Sequence, residues 1–93
     1  MYPRILARIR VLVEQGDYVL SIDAENELAN DDLDERDLES AILNGAIIGR
    51  ERDQIGRAKY IITGRTLGRR RLTAAVQLFQ TRQLVVIITA DEA

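Results

Sequence analysis

The apolar period of this chain changes at Ala46. Before that residue apolar side chains recur every three or four positions, and after it they alternate with polar ones, so helices precede strands. An amphipathic helix has to bury its stripe and a half-apolar strand has to bury one face. Both demands are met when helices pack on one side of an antiparallel sheet. The pattern therefore predicts an α+β fold, with N-terminal helices packed on a four-stranded antiparallel sheet. At 93 residues the chain has the length of one domain. That domain is expected to span 1–93, with a helical part at 1–45 and the sheet at 46–93.

In the first helix Ile5, Leu6, Ile9, Leu12 and Val13 draw a single stripe. Pro3 suits its first turn and Gly16 supplies a left-handed stop. Tyr18–Ile22 reads as an extended link. Asp23 is the expected N-cap of a short helix, Ala24–Asn30, with Glu25 and Glu27 near the positive end of its dipole. The third helix carries the fullest signal. Asp34 caps it, Asp37 follows three residues on, and Leu33 and Leu38 form a hydrophobic staple. Leu38, Ala41 and Ile42 then make its buried stripe, and Asn44-Gly45 ends it.

Ala46–Arg50 reads as a short strand. In Arg57–Thr63, Ala58, Tyr60 and Ile62 share one face, and Arg57, Lys59, Ile61 and Thr63 the other. Thr66-Leu67-Gly68 is a turn. Leu72, Ala74, Val76 and Leu78 face inward on the next strand, and a tight connection at Thr81-Arg82 leads to Leu84–Ala90. That last run is apolar on both faces, as in an interior strand covered on each side. The short connections make neighbouring strands antiparallel.

Several chemistries are excluded by what the chain lacks. It has no cysteine, hence no disulfide scaffold or thiolate metal site, and no histidine, hence no Ser-His-Asp triad around Ser21 or Ser40. Gly64 and Gly68 precede no Lys-Ser/Thr pair, so no phosphate loop is indicated. The acidic run Asp31, Asp32, Asp34, Glu35, Asp37 lacks the spacing of a calcium loop and reads as a solvated helix end. No metal and no cofactor are expected. No apolar run approaches the ~20 residues of a membrane span and no signal-peptide pattern opens the chain, so the expectation is a cytoplasmic protein away from membranes. Charge is divided unevenly. Residues 1–49 hold four Arg against eleven Asp and Glu, net −7, whereas residues 50–93 hold nine Lys and Arg against four acids, net +5. Either the two lobes neutralise each other across the fold or they form an acidic and a basic surface.

The run Asp23-Ala24-Glu25-Asn26-Glu27-Leu28, the stretch Leu33-Asp34 and Asp37 to Ile48, the segment Tyr60-Ile61-Ile62-Thr63-Gly64 and the closing Val85-Val86-Ile87-Ile88-Thr89-Ala90 together resemble the domain-of-unknown-function family DUF4258 over residues 17–91. That resemblance implies a RelE-like fold, grouping with the RelE-like toxins. It also implies a bacterial cytoplasmic protein related to RNA-cleaving members of toxin–antitoxin pairs. The family pattern places a His where this chain has Asp23, an Arg where it has Glu27, and Arg-Gly where it has Asp31-Asp32. Carboxylates at those positions repel phosphate, so weakened or lost nuclease activity is expected.

RNA cleavage by 2′-hydroxyl attack needs a proton acceptor, a proton donor and positive charge on the transition state. Lys59, Tyr60 and Arg65 are the candidate catalytic residues. Arg57, Lys59, Arg65, Arg69, Arg70 and Arg71 are the candidate nucleic-acid-binding residues, because guanidinium presents two fitted donors to phosphate. The plainer reading makes the arginines solvated turn and edge residues and Tyr60 core filling. The expected function is RNA or protein binding through the Arg57–Arg71 face. An active metal-independent endoribonuclease and a pure protein-interaction module are the alternatives. The partners in view are RNA, an acidic antitoxin-like protein meeting the basic face or adding a strand to an exposed sheet edge, and a second copy of the chain.

Overall fold

Pro3 opens the first helix, α1 (Pro3–Glu14), at a position whose N–H a helix leaves unused. The computed structural model describes residues 2–92, so Met1 and Ala93, the ends of the expected domain, lie outside the described residues. Helix α1 ends as the sequence predicts. Gly16 takes φ +79°, its N–H donates to the Val13 carbonyl, and Asp17 N–H donates to Leu12 O at 2.8 Å. The second helix closes by the same device without a glycine: Asp32 adopts φ +57° and Leu33 N–H reaches Leu28 O at 2.8 Å.

That second helix, α2 (Ile22–Asn30), starts two residues earlier than expected. Its N-cap is Ser21, not Asp23. The Ser21 hydroxyl accepts from Ala24 N–H at 3.0 Å and donates to Ile88 O at 2.7 Å, a tertiary bond unavailable to Asp23. Asp23 instead lies in the first turn, where its charge complements the dipole. Helix α3 (Glu35–Asn44) carries the predicted capping box, Asp34 accepting from Asp37 N–H while the Asp37 carboxylate accepts from Asp34 N–H.

The sheet has five strands rather than four, and it is mixed rather than antiparallel. Tyr18–Leu20, expected as a link, is strand β1. It is followed after α3 by β2 (Ala46–Arg52), β3 (Ala58–Arg65), β4 (Arg71–Phe79) and β5 (Leu84–Glu92). The order across the sheet is β1-β5-β4-β3-β2. Strands β2 to β5 form the predicted antiparallel meander, and β1 adds in parallel to the outer edge of β5, Tyr18 beside Val85 and Leu20 beside Ile87. Strand β5 is therefore interior, as its apolar run predicts. The helices cover only one of its faces, however: Val85, Ile87 and Ala90 join the core while Val86, Ile88 and Thr89 stay half-buried on the other side.

The main core cluster lies between the helices and that one sheet face. Ile9, Leu12 and Val13 of α1, Leu28 of α2, and Leu38 and Ile42 of α3 meet Ile62, Leu72, Val76, Val85 and Ile87. Backbone approaches backbone where α3 crosses β3. A Cβ on Gly64 would stand 1.9 Å from the Ala41 carbonyl oxygen, so only glycine fits there. Arg10 of α1 supplies the cation that α3 lacks at its negative end, donating to Gly45 O at 2.6 Å and Ile42 O at 3.4 Å. No described helix is long and apolar enough to cross a membrane.

Candidate nucleic-acid interface

Strand alternation decides which basic side chains can act together. Along β3 the core-facing positions are Tyr60, Ile62 and Gly64, and along β4 they are Leu72, Ala74 and Val76. The intervening residues face the helix-free side: Lys59, Ile61, Thr63 and Arg65 beside Gln77, Ala75, Thr73 and Arg71. Thr63 pairs Thr73, with their hydroxyls 3.3 Å apart, and Arg65 pairs Arg71. The result is a strip with small and hydroxyl-bearing side chains in its middle and guanidinium groups at one end.

At that end Arg65 and Arg71 stand directly opposite each other, with Cβ atoms about 5 Å apart for such a pair. Like charges so placed destabilise a hairpin. Both side chains are exposed, as is Arg69 at the tip, and none of the three makes an ion pair among the described residues. Arg69 also has φ +65°, a left-handed conformation that costs a non-glycine residue about 1–2 kcal/mol.

Both neighbouring hairpins hold a left-handed residue as well, Gly56 in the β2–β3 connection and Gln83, at φ +51°, in the β4–β5 connection. In the β2–β3 connection Gly56 N–H donates to Asp53 O and Asp53 N–H to Arg57 O, with Gly56 at φ +86°. In the β3–β4 connection Arg69 N–H donates to Thr66 O and Thr66 N–H to Arg70 O. The two loops share one build, a tight turn followed by a left-handed residue, and differ in having Gly56 in one and Arg69 in the other.

The arginine hairpin is held against α3. Asn44 pairs the Arg65 backbone like a neighbouring strand, accepting from its N–H at 2.9 Å and donating to its carbonyl at 2.8 Å. Ser40 Oγ donates to the same carbonyl and Asp37 Oδ1 accepts from Leu67 N–H. Ser40, Asn44, Leu67, Arg65 and Arg69 line the groove left between helix and hairpin. Asn44, read from sequence as a helix end, is thus also the brace of Arg65.

The remaining candidates separate from this group. Arg70, one residue out of register with Arg71, is ion-paired to Glu92 and donates to Asp31 O at 2.8 Å. The Glu92 hydrogen bond raises Arg70 and lowers Glu92 from their ordinary values. Lys59 lies 3.8 Å from Glu51. Arg57 is at the far end of the strip, about 25 Å from Arg65 at the rise of an extended chain, with its guanidinium 5.0 Å over the Phe79 ring. Tyr60 points the other way, into the core, 9% exposed and edge-on to Tyr2 with ring centroids 5.5 Å apart. Lys59, Tyr60 and Arg65 therefore do not converge on one point. Phe79 and Arg82, which flank Arg57 at that far end, were not singled out by the sequence reading. Phe79 is the chain's one phenylalanine and has the same parity as Arg71 on a period-two strand, which was the available signal.

The acidic surface lies elsewhere. Tyr18 donates to Glu39 at 2.5 Å beside Glu35, and burial of the phenol together with that bond raises it above its ordinary value. Glu27 and Asp23, where the family pattern has Arg and His, lie on α2. Glu27 accepts from Ala90 N–H at 3.0 Å and is raised above its ordinary value, first by the Asp91 carboxyl beside it and then by burial. No ion pair among the described residues joins the acidic residues 1–49 to the basic residues 50–93. The two lobes do not neutralise each other through direct ion pairs.

These features define a small α+β domain, three helices on one face of a five-stranded mixed sheet, with a basic hairpin at one end of the uncovered face. The sequence matches the model of a family described as Domain of unknown function (DUF4258) over residues 20–91, and the chain belongs to that family. No curated protein and no solved structure matches it.

Proposed function

We propose that this domain binds single-stranded RNA along the helix-free strip of β3 and β4, as a relative of the RelE-like toxins that holds RNA without cutting it. The observation that carries the reading is the cross-strand pair Arg65–Arg71 with Arg69 above it. Three exposed guanidinium groups are gathered at a cost in like-charge repulsion and backbone strain, with no carboxylate ion-paired to them among the described residues. Phosphate is the anion whose geometry matches them. Binding rather than cleavage is supported by the dispersal of the acid–base candidates. Tyr60 is packed under Tyr2, and Lys59 faces the opposite side of the sheet and pairs with Glu51.

The test is fluorescence anisotropy of a labelled oligouridylate at several salt concentrations. Three phosphate contacts give a slope of log K against log salt near −2, at about −0.7 per contact on a single strand. The Arg65→Ser/Arg69→Ser/Arg71→Ser variant should lose most of that slope, whereas Arg8→Ser on α1, in the helix layer across the sheet from the strip, should keep it. Equal slopes for the triple variant and the parent would reject the site, and displacement by an acidic peptide but not by RNA would make it a protein interface. Intact RNA after prolonged incubation in EDTA is the expected result for a non-cleaving domain.

A further inference from the structure

Past the other end of the strip a cavity of about 380 Å³ opens at the end of the sheet, between the start of α1 and the β4–β5 hairpin; Ile5, Tyr60 and Leu78 line it from the core side and Arg57, Phe79 and Arg82 from the strip. We infer that this cavity seats one unstacked nucleotide, its base against the Arg57–Phe79 stack and its phosphate toward Arg82. The inference rests on the reading of the helix-free face as an RNA track. The volume lies at the low end of ligand pockets, which run roughly 300–1,000 Å³, and suits one nucleotide rather than a duplex. Splayed-out bases stack on aromatic rings and on guanidinium planes, and here the two are already stacked, with Arg57 5.0 Å over Phe79.

Positive charge at the cavity is held by no ion pair: neither Arg57 nor Arg82 makes one among the described residues. The nearby carboxylate, Asp53, is committed to other donors. Its Oδ1 accepts from Ile55 N–H at 3.0 Å and Arg57 N–H at 2.8 Å, and its Oδ2 from Gln77 Nε2 at 2.9 Å. Those bonds, that from Gln77 foremost, hold its pKa below the ordinary carboxylate value, so it stays ionised and occupied. The same network fixes Arg57 at its backbone and Gln77 at its amide, so two walls of the cavity are set before any ligand arrives.

The experiment is an amide-resolved NMR titration of the whole protein with adenosine 5′-monophosphate, and separately with ribose 5-phosphate. The nucleotide should give saturable shifts at Arg57, Gln77, Phe79 and Thr81. Ribose 5-phosphate should bind at least about fivefold more weakly, because base stacking on an aromatic side chain is worth about 1–3 kcal/mol. Phe79→Leu should weaken the nucleotide by a similar factor. Arg82→Ser, an exposed change away from the core, should weaken both ligands and guards against misfolding of the first variant. Equal binding of the two ligands, or shifts confined to residues 65–71, would overturn the inference. Should the cavity ignore the nucleotide while oligouridylate binding still needs Arg65, Arg69 and Arg71, this inference falls and the RNA reading stands. Should oligouridylate binding ignore those three arginines, both fall, and any cavity response marks a site for free nucleotides.

Discussion

Arg69→Gly separates function from stability at a single residue. Arg69 holds φ +65°, and in the sister loop the equivalent residue is Gly56 at φ +86°. The left-handed region costs a non-glycine residue about 1–2 kcal/mol. Glycine gives back about 0.5–1 kcal/mol through the entropy of the unfolded chain. The net gain expected from the substitution is therefore about 0.5–1 kcal/mol. For a domain of this size each kcal/mol moves the melting temperature by roughly 4–8 °C, so Arg69→Gly should melt about 2–8 °C higher. The reciprocal change, Gly56→Arg, should lower it by a comparable amount, since nothing lies within 4 Å of a Cβ built there and only the backbone conformation objects. Circular dichroism at 222 nm suits the measurement because the chain has no tryptophan. In the anisotropy assay Arg69→Gly should also lose one phosphate contact, flattening the salt slope by about 0.7. An unchanged or lower melting temperature would refute the strain argument. A higher melting temperature with unaltered RNA affinity and slope would remove Arg69 from the interface.

Three further outcomes bear on the frame that positions the hairpin. Gly64→Ala places a Cβ 1.9 Å from Ala41 O, a clash of backbone with backbone, and should cost more than the ~1–3 kcal/mol typical of overpacking, seen as a fall in melting temperature of at least about 12 °C. Arg10→Met keeps the aliphatic stem but leaves Gly45 O and Ile42 O without their charged donor, and should cost about 2 kcal/mol in a urea titration. Glu27→Gln tests the carboxyl pair with Asp91. The folded state raises Glu27 above 4.5, so the native form binds the proton more tightly than the unfolded one, and this group's contribution is present at low pH and lost as pH rises from about 4.5 through the raised value. The glutamine variant keeps the acceptor for Ala90 N–H and should lose that decline, measured as melting temperature between pH 4 and 8. Asp34 and Asp53, both lowered, act with the opposite sign below about 3.8 in either protein, so the difference between the two curves isolates Glu27.

Helix α3 was legible because all its signals are local: the Asp34–Asp37 box and the Leu38, Ala41, Ile42 stripe lie within one window. The faces of β3 and β4 were legible because period two spans eight or nine residues. Strand β1 was not, since three residues cannot establish a period and its partner lies more than sixty positions away. The missing strand had left a trace. Leu84–Ala90 reads as interior, yet the last strand of a four-stranded meander is an edge, so a neighbour from elsewhere in the chain was required. Ser21 and Asp23 are both good caps, and the choice between them fell to a hydrogen bond to Ile88 that no local pattern contains. Among the candidate site residues, grouping Arg69, Arg70 and Arg71 overlooked their register. Consecutive strand residues point to opposite faces, which sends Arg70 to Glu92 and leaves Arg71 beside Arg65.

The placement of cost in this domain supports a role for the hairpin. Left-handed residues occur also at Tyr2 before α1, at Asp32 after α2 and at Gln83 in the β4–β5 hairpin, while Gly16 and Gly56 take the conformation without penalty. At the arginine hairpin a strained residue, an opposed pair of cations and a brace of side-chain hydrogen bonds from Ser40, Asn44 and Asp37 occur together. The brace holds the Arg65 backbone on both its N–H and its carbonyl, so repulsion cannot be relieved by splaying the strand end away from α3. Removing it should therefore act on binding through order, not charge. Asn44→Ala leaves every arginine in place, so the salt slope should persist while affinity falls. A loss of slope equal to that of the arginine variants would show that Asn44 does not act by positioning.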